Sequence, residues 1–417
     1  MRIRAVLAVL LLSMLGVSTP GFTSDLALVH AKIYSSPTDS PIENGIILIH
    51  DGRITAVGPG GTTRPPRFAR AVTVIDCKGL VVTAGFWNSH VHILTQGLLH
   101  AENLSASKLS SQLEQMLTRW GFTTVFDIAS VLDNTNTIRR RIASGEIPGP
   151  RILTVGEPFY AKGGTPIYIR GFLTENHIPL PEVDSVPQAV MRVRQQIHDG
   201  ANGIKIFAGS IESGSVLIMP LDLASAIVAE AHRAGKPVFA HPSNNEGIEL
   251  ALKSGVDILA HTTPMSGPWT PDLVQRIRAA NMALIPTLTL FEVEAKKFGE
   301  SPEDAANDMR YASQQLKSYS DAGGQILFGT DVGYTDYFDT AEEFSLMSRA
   351  GLSFRQILAS LTTNPALRFG YVARSGRIAE GMDADLVVLD GDPAGDVTAF
   401  SKVHHVIQDG KLIYTAH

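Results

Sequence analysis

At 417 residues the chain is long enough to bury the core of a large α/β domain plus a smaller one. Its 44% hydrophobic and 18% charged content excludes a disordered chain and a polytopic membrane protein. A net charge of −6 with no Lys/Arg run gives no footing for nucleic acid, which leaves a small molecule as the expected partner.

The first residues read as an export signal. Arg2 and Arg4 precede an apolar run from Ala5 to about Val17, followed by Ser18-Thr19-Pro20-Gly21. The run is too short to span a bilayer, so residues 1–24 are expected to be a secretory signal peptide. A retained anchor is the alternative, because no clean A-x-A closes the segment. On the first reading the protein is secreted or periplasmic, with no stable membrane insertion once the signal is removed. The single cysteine, Cys77, excludes an intrachain disulfide and reads as core.

Short β-type runs follow at 26–33, 45–50, 53–57 and 72–77, with Asp51-Gly52 as a hairpin signal. The chain returns to this style at 385–389, 403–408 and 411–414, with Asp409-Gly410 in the second hairpin position. The two ends, 25–83 and 371–417, are therefore expected to build one small β domain. Between them, over 84–370, strand-like runs alternate with helical ones such as 221–234 and 271–280. The expected strands are 80–84, 123–126, 151–155, 203–207, 238–240, 258–260, 283–285 and 326–328. This alternation predicts a (β/α)8 TIM barrel.

Catalytic groups in such a barrel gather at the C-terminal ends of the strands. The first run leads into Gly85-Phe86-Trp87-Asn88-Ser89-His90-Val91-His92. A His-x-His pair on a strand puts both imidazoles on one face, which is half of a metal site. Alone it is weak evidence, but later strands add to it. Lys205 lies on the fourth strand, His241 and His261 follow the fifth and sixth, and Asp331 follows the eighth. Four imidazoles with an acid to orient and deprotonate a bound water are what a hydrolytic metal centre needs.

These residues resemble the amidohydrolase superfamily, nearest its imidazolonepropionase-like and metal-dependent prolidase-like branch. Ala231-His232-Arg233-Ala234-Gly235-Lys236-Pro237-Val238 and Gly381-Met382-Asp383-Ala384-Asp385-Leu386-Val387-Val388 match as well. The resemblance runs from about residue 25 to the end and implies a barrel plus a small β-sandwich, with Zn2+ or a similar divalent ion. It implies that His90, His92 and Asp331 bind the buried metal and that His241 and His261 bind an outer one. Lys205, carboxylated by CO2 to a carbamate, would bridge the two. Asp331 would be the general base for attack of metal-bound hydroxide on a carbonyl. A one-metal centre with an unmodified Lys205 stays open. Three departures stand out: Asn88 where relatives carry Asp, no His in 161–166, and Asn244 where adenosine-type deaminases would carry Glu.

Aromatic residues crowd the expected mouth. Tyr160, Tyr168, Trp269 and Tyr334 are candidate substrate contacts, with loop packing as the competing role. Lys162 and Arg170 could meet a substrate carboxylate, although a solvated role fits each better. The leading expectation is a metal-dependent amidohydrolase that cleaves a C–N amide-type bond in a dipeptide, N-acyl amino acid or cyclic amide. Ester, lactone or phosphoester hydrolysis in the same centre is the second reading, and a binding protein on a degenerate barrel the third. A homo-oligomer is compatible with the sequence.

Overall fold

The computed structural model describes residues 25–61, 72–212 and 214–416. The expected signal peptide lies outside the described residues. None of the described helices is long and apolar enough to cross a membrane.

Both ends of the chain share one eight-stranded sheet. Its order runs Lys411–Thr415, Val403–Gln408, Leu386–Leu389, Val81–Ala84, Asp25–Tyr34, Ile42–His50 and Arg53–Pro59. Val72–Asp76 also pairs with Asp25–Tyr34. Asp51-Gly52 and Asp409-Gly410 turn the two hairpins with positive φ at every position (47°, 75°, 45° and 72°), the left-handed geometry that matches strand twist. Alternation along the strands feeds opposite faces. Leu26, Leu28, Ile47 and Ile49 enter one apolar cluster, and Ala27, Ile46 and Leu48 another.

One sequence expectation is corrected here. Val81–Ala84, taken as the first barrel strand, belongs to this terminal sheet, parallel to Asp25–Tyr34 and antiparallel to Leu386–Leu389. The run is apolar on both faces because it is a central strand covered on both sides, which in sequence looks the same as a barrel strand. The strand that carries the histidines is the next one, Phe86–Val91. Gly85 separates them. A Cβ there would lie 2.2 Å from the Thr123 hydroxyl, so only glycine lets the chain pass between the two sheets.

The middle of the chain holds two parallel sheets. Phe86–Val91, Phe122–Asp127 and Arg151–Thr154 form one. Ile204–Phe207, Val238–His241, Ile258–Ala260 and Ala283–Ile285 form the other. Backbone hydrogen bonds join their edges. On one side Asn202 N–H donates to Thr154 O at 2.6 Å and Phe159 N–H to Lys205 O at 2.8 Å. On the other side, the expected eighth strand at 326–328 is not a regular strand. It carries one bridge, Leu284 to Ile326, and Ser89 N–H then donates to Phe328 O at 2.7 Å. Helices such as Leu221–Arg233 and Pro271–Ala279 separate the strands. Trp87, Phe126, Leu153, Phe239 and Ile285 fill the centre, with Phe126 and Phe239 ring centroids 4.8 Å apart. The arrangement is an α/β fold consistent with a TIM barrel plus a β domain.

A buried ion-pair group ties the two parts together. Arg151, on a central strand, reaches Asp385 at 3.2 Å and Asp383 and Asp409 at 3.4 Å, all from the C-terminal part of the sheet. Arg53 and Arg374 also pair with Asp383, at 2.6 and 2.8 Å, so Asp385 depends most on Arg151. Burial pushes the Asp385 carboxyl up to about 6, even against the neighbouring guanidinium. Arg151→Met is expected to cost about 3 kcal/mol, because it strands a buried carboxylate. Asp385 binds its proton more tightly folded than unfolded, so the stability linked to it is lost as pH rises, and removing Arg151 raises its pKa further. Urea denaturation should therefore show a larger deficit for the variant at pH 8 than at pH 5. A pH-independent deficit would contradict this.

Candidate metal centre

His90 sits inside the Phe86–Val91 strand and His92 one residue beyond it, and the strand period puts both rings on one side. Their Nε2 atoms lie 3.2 Å apart. Asp331 Oδ1 meets both, at 2.9 Å from His90 and 2.7 Å from His92. Asp331 takes a left-handed φ of 59°, and its N–H donates to His90 O at 3.0 Å. Gly333 makes this docking feasible: at φ 101° its missing Cβ would fall 1.9 Å from His92 O. His261 (φ 100°) and Thr287 (φ 46°) also take positive φ, a backbone that the surrounding packing has to hold.

Neighbouring bonds fix where the lone pairs point. His92 Nδ1 lies 2.9 Å from Ala129 O, and a carbonyl only accepts, so the ring's proton is on Nδ1. Nε2 then turns a lone pair toward the Asp331 oxygen. His261 Nδ1 lies 2.6 Å from the Thr287 hydroxyl, which itself donates to Pro286 O at 2.8 Å and therefore accepts from the imidazole. His261 thus also keeps its Nε2 lone pair free. Burial pushes the His90 imidazole down to about 3 and holds His241 and His261 well below the ordinary histidine range, so all three are neutral at physiological pH. Asp331 Oδ1 sits at the point where the His90 and His92 Nε2 atoms meet. Imidazole nitrogens and a carboxylate oxygen converging on one point are a donor set that fits a cation. Three of these ligand atoms, from His90, His92 and Asp331, lie within 4.8 Å of one another.

Lys205, on Ile204–Phe207, is 1% exposed and has no carboxylate within ion-pair distance among the described residues. Burial brings its pKa down to about 7. His241 ends Val238–His241 and stacks on Phe207 at 4.5 Å, with His261 on its other side at 4.8 Å. All six candidate ligands line one cavity.

Asn88 braces this arrangement. Its side-chain oxygen accepts from His90 N–H at 3.1 Å and its amide donates to Thr330 Oγ1 at 2.7 Å, joining the histidine strand to the residue before Asp331. Asp127 holds the other flank. Its carboxylate accepts from Ile93 N–H at 3.1 Å, Thr154 at 2.8 Å, Thr135 at 3.1 Å and Ser130.

Tyr160, Tyr168 and Tyr334 line the cavity, with Tyr160 against Phe207 and Tyr168 against Tyr334. Trp269 does not. It is buried in the loop after Ile258–Ala260, where its indole N–H donates to Thr263 Oγ1 at 2.8 Å, so its one polar atom is spent on packing. Tyr337 is exposed and lines a neighbouring surface cleft. Sequence reasoning missed Glu294, on the helix Leu288–Phe298, which lines the cavity and accepts from Tyr334 OH at 2.9 Å. The signal was an acid about two turns into the helix that follows a strand exit. His232 and His404 pair with Asp257 and Asp390, both at 2.8 Å, and take no part in the cavity.

Comparison with known proteins agrees with this geometry. An ochratoxinase from Aspergillus niger is 25% identical over 430 aligned positions, covering 93% of this chain and 86% of the relative. A candidate prolidase structure from Bifidobacterium longum superposes with a TM-score of 0.79 at 26% identity, over 94% of this chain and 95% of that one. A Xaa-Pro dipeptidase structure with methionine in its active site gives 0.80 at 24% identity, over 94% and 100%, and supports the fold. The sequence profile of the amidohydrolase family matches residues 81–413. The chain belongs to the amidohydrolase family and is a hydrolase acting on carbon–nitrogen bonds.

Proposed function

We propose that the protein is a metal-dependent amidohydrolase that hydrolyses a C–N amide-type bond in a small molecule. The observation that carries the reading is the convergence of His90 Nε2, His92 Nε2 and an Asp331 oxygen on one point. His90, His92 and Asp331 would hold one divalent ion, Zn2+ being suited to the N/O set, and His241 and His261 a second. When bound, such an ion polarises the scissile carbonyl and acidifies water. The donors sit on strand ends of what we take to be a closed (β/α)8 barrel over 84–370. The shared terminal sheet, from 25–83 and 371–417, would form the separate β domain.

The chain's own groups do the rest. Asp331 is the one carboxylate in the donor set, so it takes the proton as water oxygen bonds to the carbonyl carbon. It returns that proton to the leaving nitrogen as the C–N bond breaks. Lys205 serves as a ligand only after its charge is removed. Its pKa near 7 leaves much of the amine neutral at physiological pH, which is the form that adds CO2 and releases a proton to give a carbamate. The amide-cleaving ochratoxinase relative supports the bond class. The Arg2/Arg4 and Ala5–Val17 pattern supports export to a secreted or periplasmic location.

Asp331→Asn keeps the shape but not the basicity of the group. We expect it to fold and to lose at least about 100-fold in kcat, the usual worth of a positioned general base. Steady-state kinetics on an amide panel test this, and near-full turnover would contradict the assigned base. Lys205→Ala should lower metal content per chain by elemental analysis, with partial recovery by short-chain carboxylates. Unchanged metal content would remove Lys205 from the ligand set.

A further inference from the structure

Charge is distributed unevenly around the cavity. Apart from the six donor residues, its only charged lining residues among those described are Glu157 and Glu294, both acids. The rest of the wall is largely apolar, made by Ile169, Leu173 and Ile178 together with the aromatic Tyr160, Tyr168 and Tyr334. The cations that might have met an anionic substrate are occupied elsewhere. Arg192 gives its guanidinium to the carbonyls of Pro181, Glu157 and Pro158 at 2.7, 3.1 and 2.8 Å, so it shapes the wall without facing the cavity. Arg170 pairs with Glu212 and donates to Thr165 O, and the exposed Lys162 lies 3.6 Å from Asp184. Lys297 lies over the Tyr334 ring at 4.6 Å but lines the neighbouring surface cleft.

The two acids are held in place. Glu157 accepts from Leu132 N–H at 3.2 Å, at the start of the helix Leu132–Ala143. Glu294 is fixed by the Tyr334 hydroxyl, and burial pushes its carboxyl up to about 7, so it carries its charge mainly above neutral pH. A substrate carboxylate in the wall region would leave water to face two acids and aliphatic side chains, with no guanidinium among the described lining residues to pair with.

We infer that the cavity selects amides that are bulky, apolar and free of a carboxylate, so that dipeptides and N-acyl amino acids are poor substrates. This rests on the hydrolase reading above and narrows its substrate class. Glu294 is the specificity-determining residue, because it puts a negative charge on the wall that a carboxylate must approach.

The test uses matched pairs that differ only in the carboxylate: N-benzoylleucine against N-isopentylbenzamide, and N-benzoylphenylalanine against N-(2-phenylethyl)benzamide. Binding to the metal-loaded protein is measured by calorimetry, and hydrolysis by kcat/KM, at pH 8. We expect the neutral member to be favoured at least about tenfold in both, the scale of one like-charge contact in a partly buried site. Glu294→Gln should narrow that preference. Equal or tighter binding of the carboxylate member, or binding of neither, overturns the inference. A preference in binding with no hydrolysis of either member would leave the selectivity standing and overturn the hydrolase reading instead. A preference untouched by Glu294→Gln removes that residue from the account.

Discussion

The structure depends on bringing buried imidazoles and one carboxylate to a single point in a space that water barely reaches. The Nε2 atoms of His90 and His92 lie 3.2 Å apart, with Asp331 Oδ1 2.7 Å from the second. Burial disfavours the charged form of the His90 ring, pushing it down to about 3. A donor set of this kind suits a divalent cation. The surrounding scaffold fixes its shape.

That scaffold explains features that look odd in isolation. The left-handed backbones at His261, Thr287 and Asp331 cost energy that the surrounding packing has to offset. Asn88 spans the gap between the first strand and the 326–332 segment, where only single bridges replace a regular ladder. Gly333 lets the segment press against His92 O. The ion pairs of Arg151 couple the Arg151–Thr154 strand to the terminal sheet. Site and fold are therefore not separable: the place where the sheet is least regular is the place where Asp331 enters.

Much of this was legible in the sequence, for identifiable reasons. The His-x-His spacing on a strand fixes a shared face, and reading the strand exits groups Lys205, His241, His261 and Asp331 with it. The hairpins at Asp51-Gly52 and Asp409-Gly410 follow from turn chemistry alone. Other features depend on tertiary context. An apolar run such as 80–84 looks the same whether it lies in a barrel or at the centre of another sheet. Trp269 was named as a substrate contact because aromatic residues in loops often are, and its hydrogen bond to Thr263 could not be inferred. Glu294 was hidden because its helix reads as an ordinary surface element. What brings it inward is the fold of Leu288–Phe298 against Tyr334.

The most direct test of the central claim is metal content per chain on protein purified without chelator, paired with intact mass in bicarbonate buffer. The account predicts close to two Zn2+ per chain and a CO2 adduct that disappears in Lys205→Ala. Protein that binds no divalent metal, even after repletion, would contradict it.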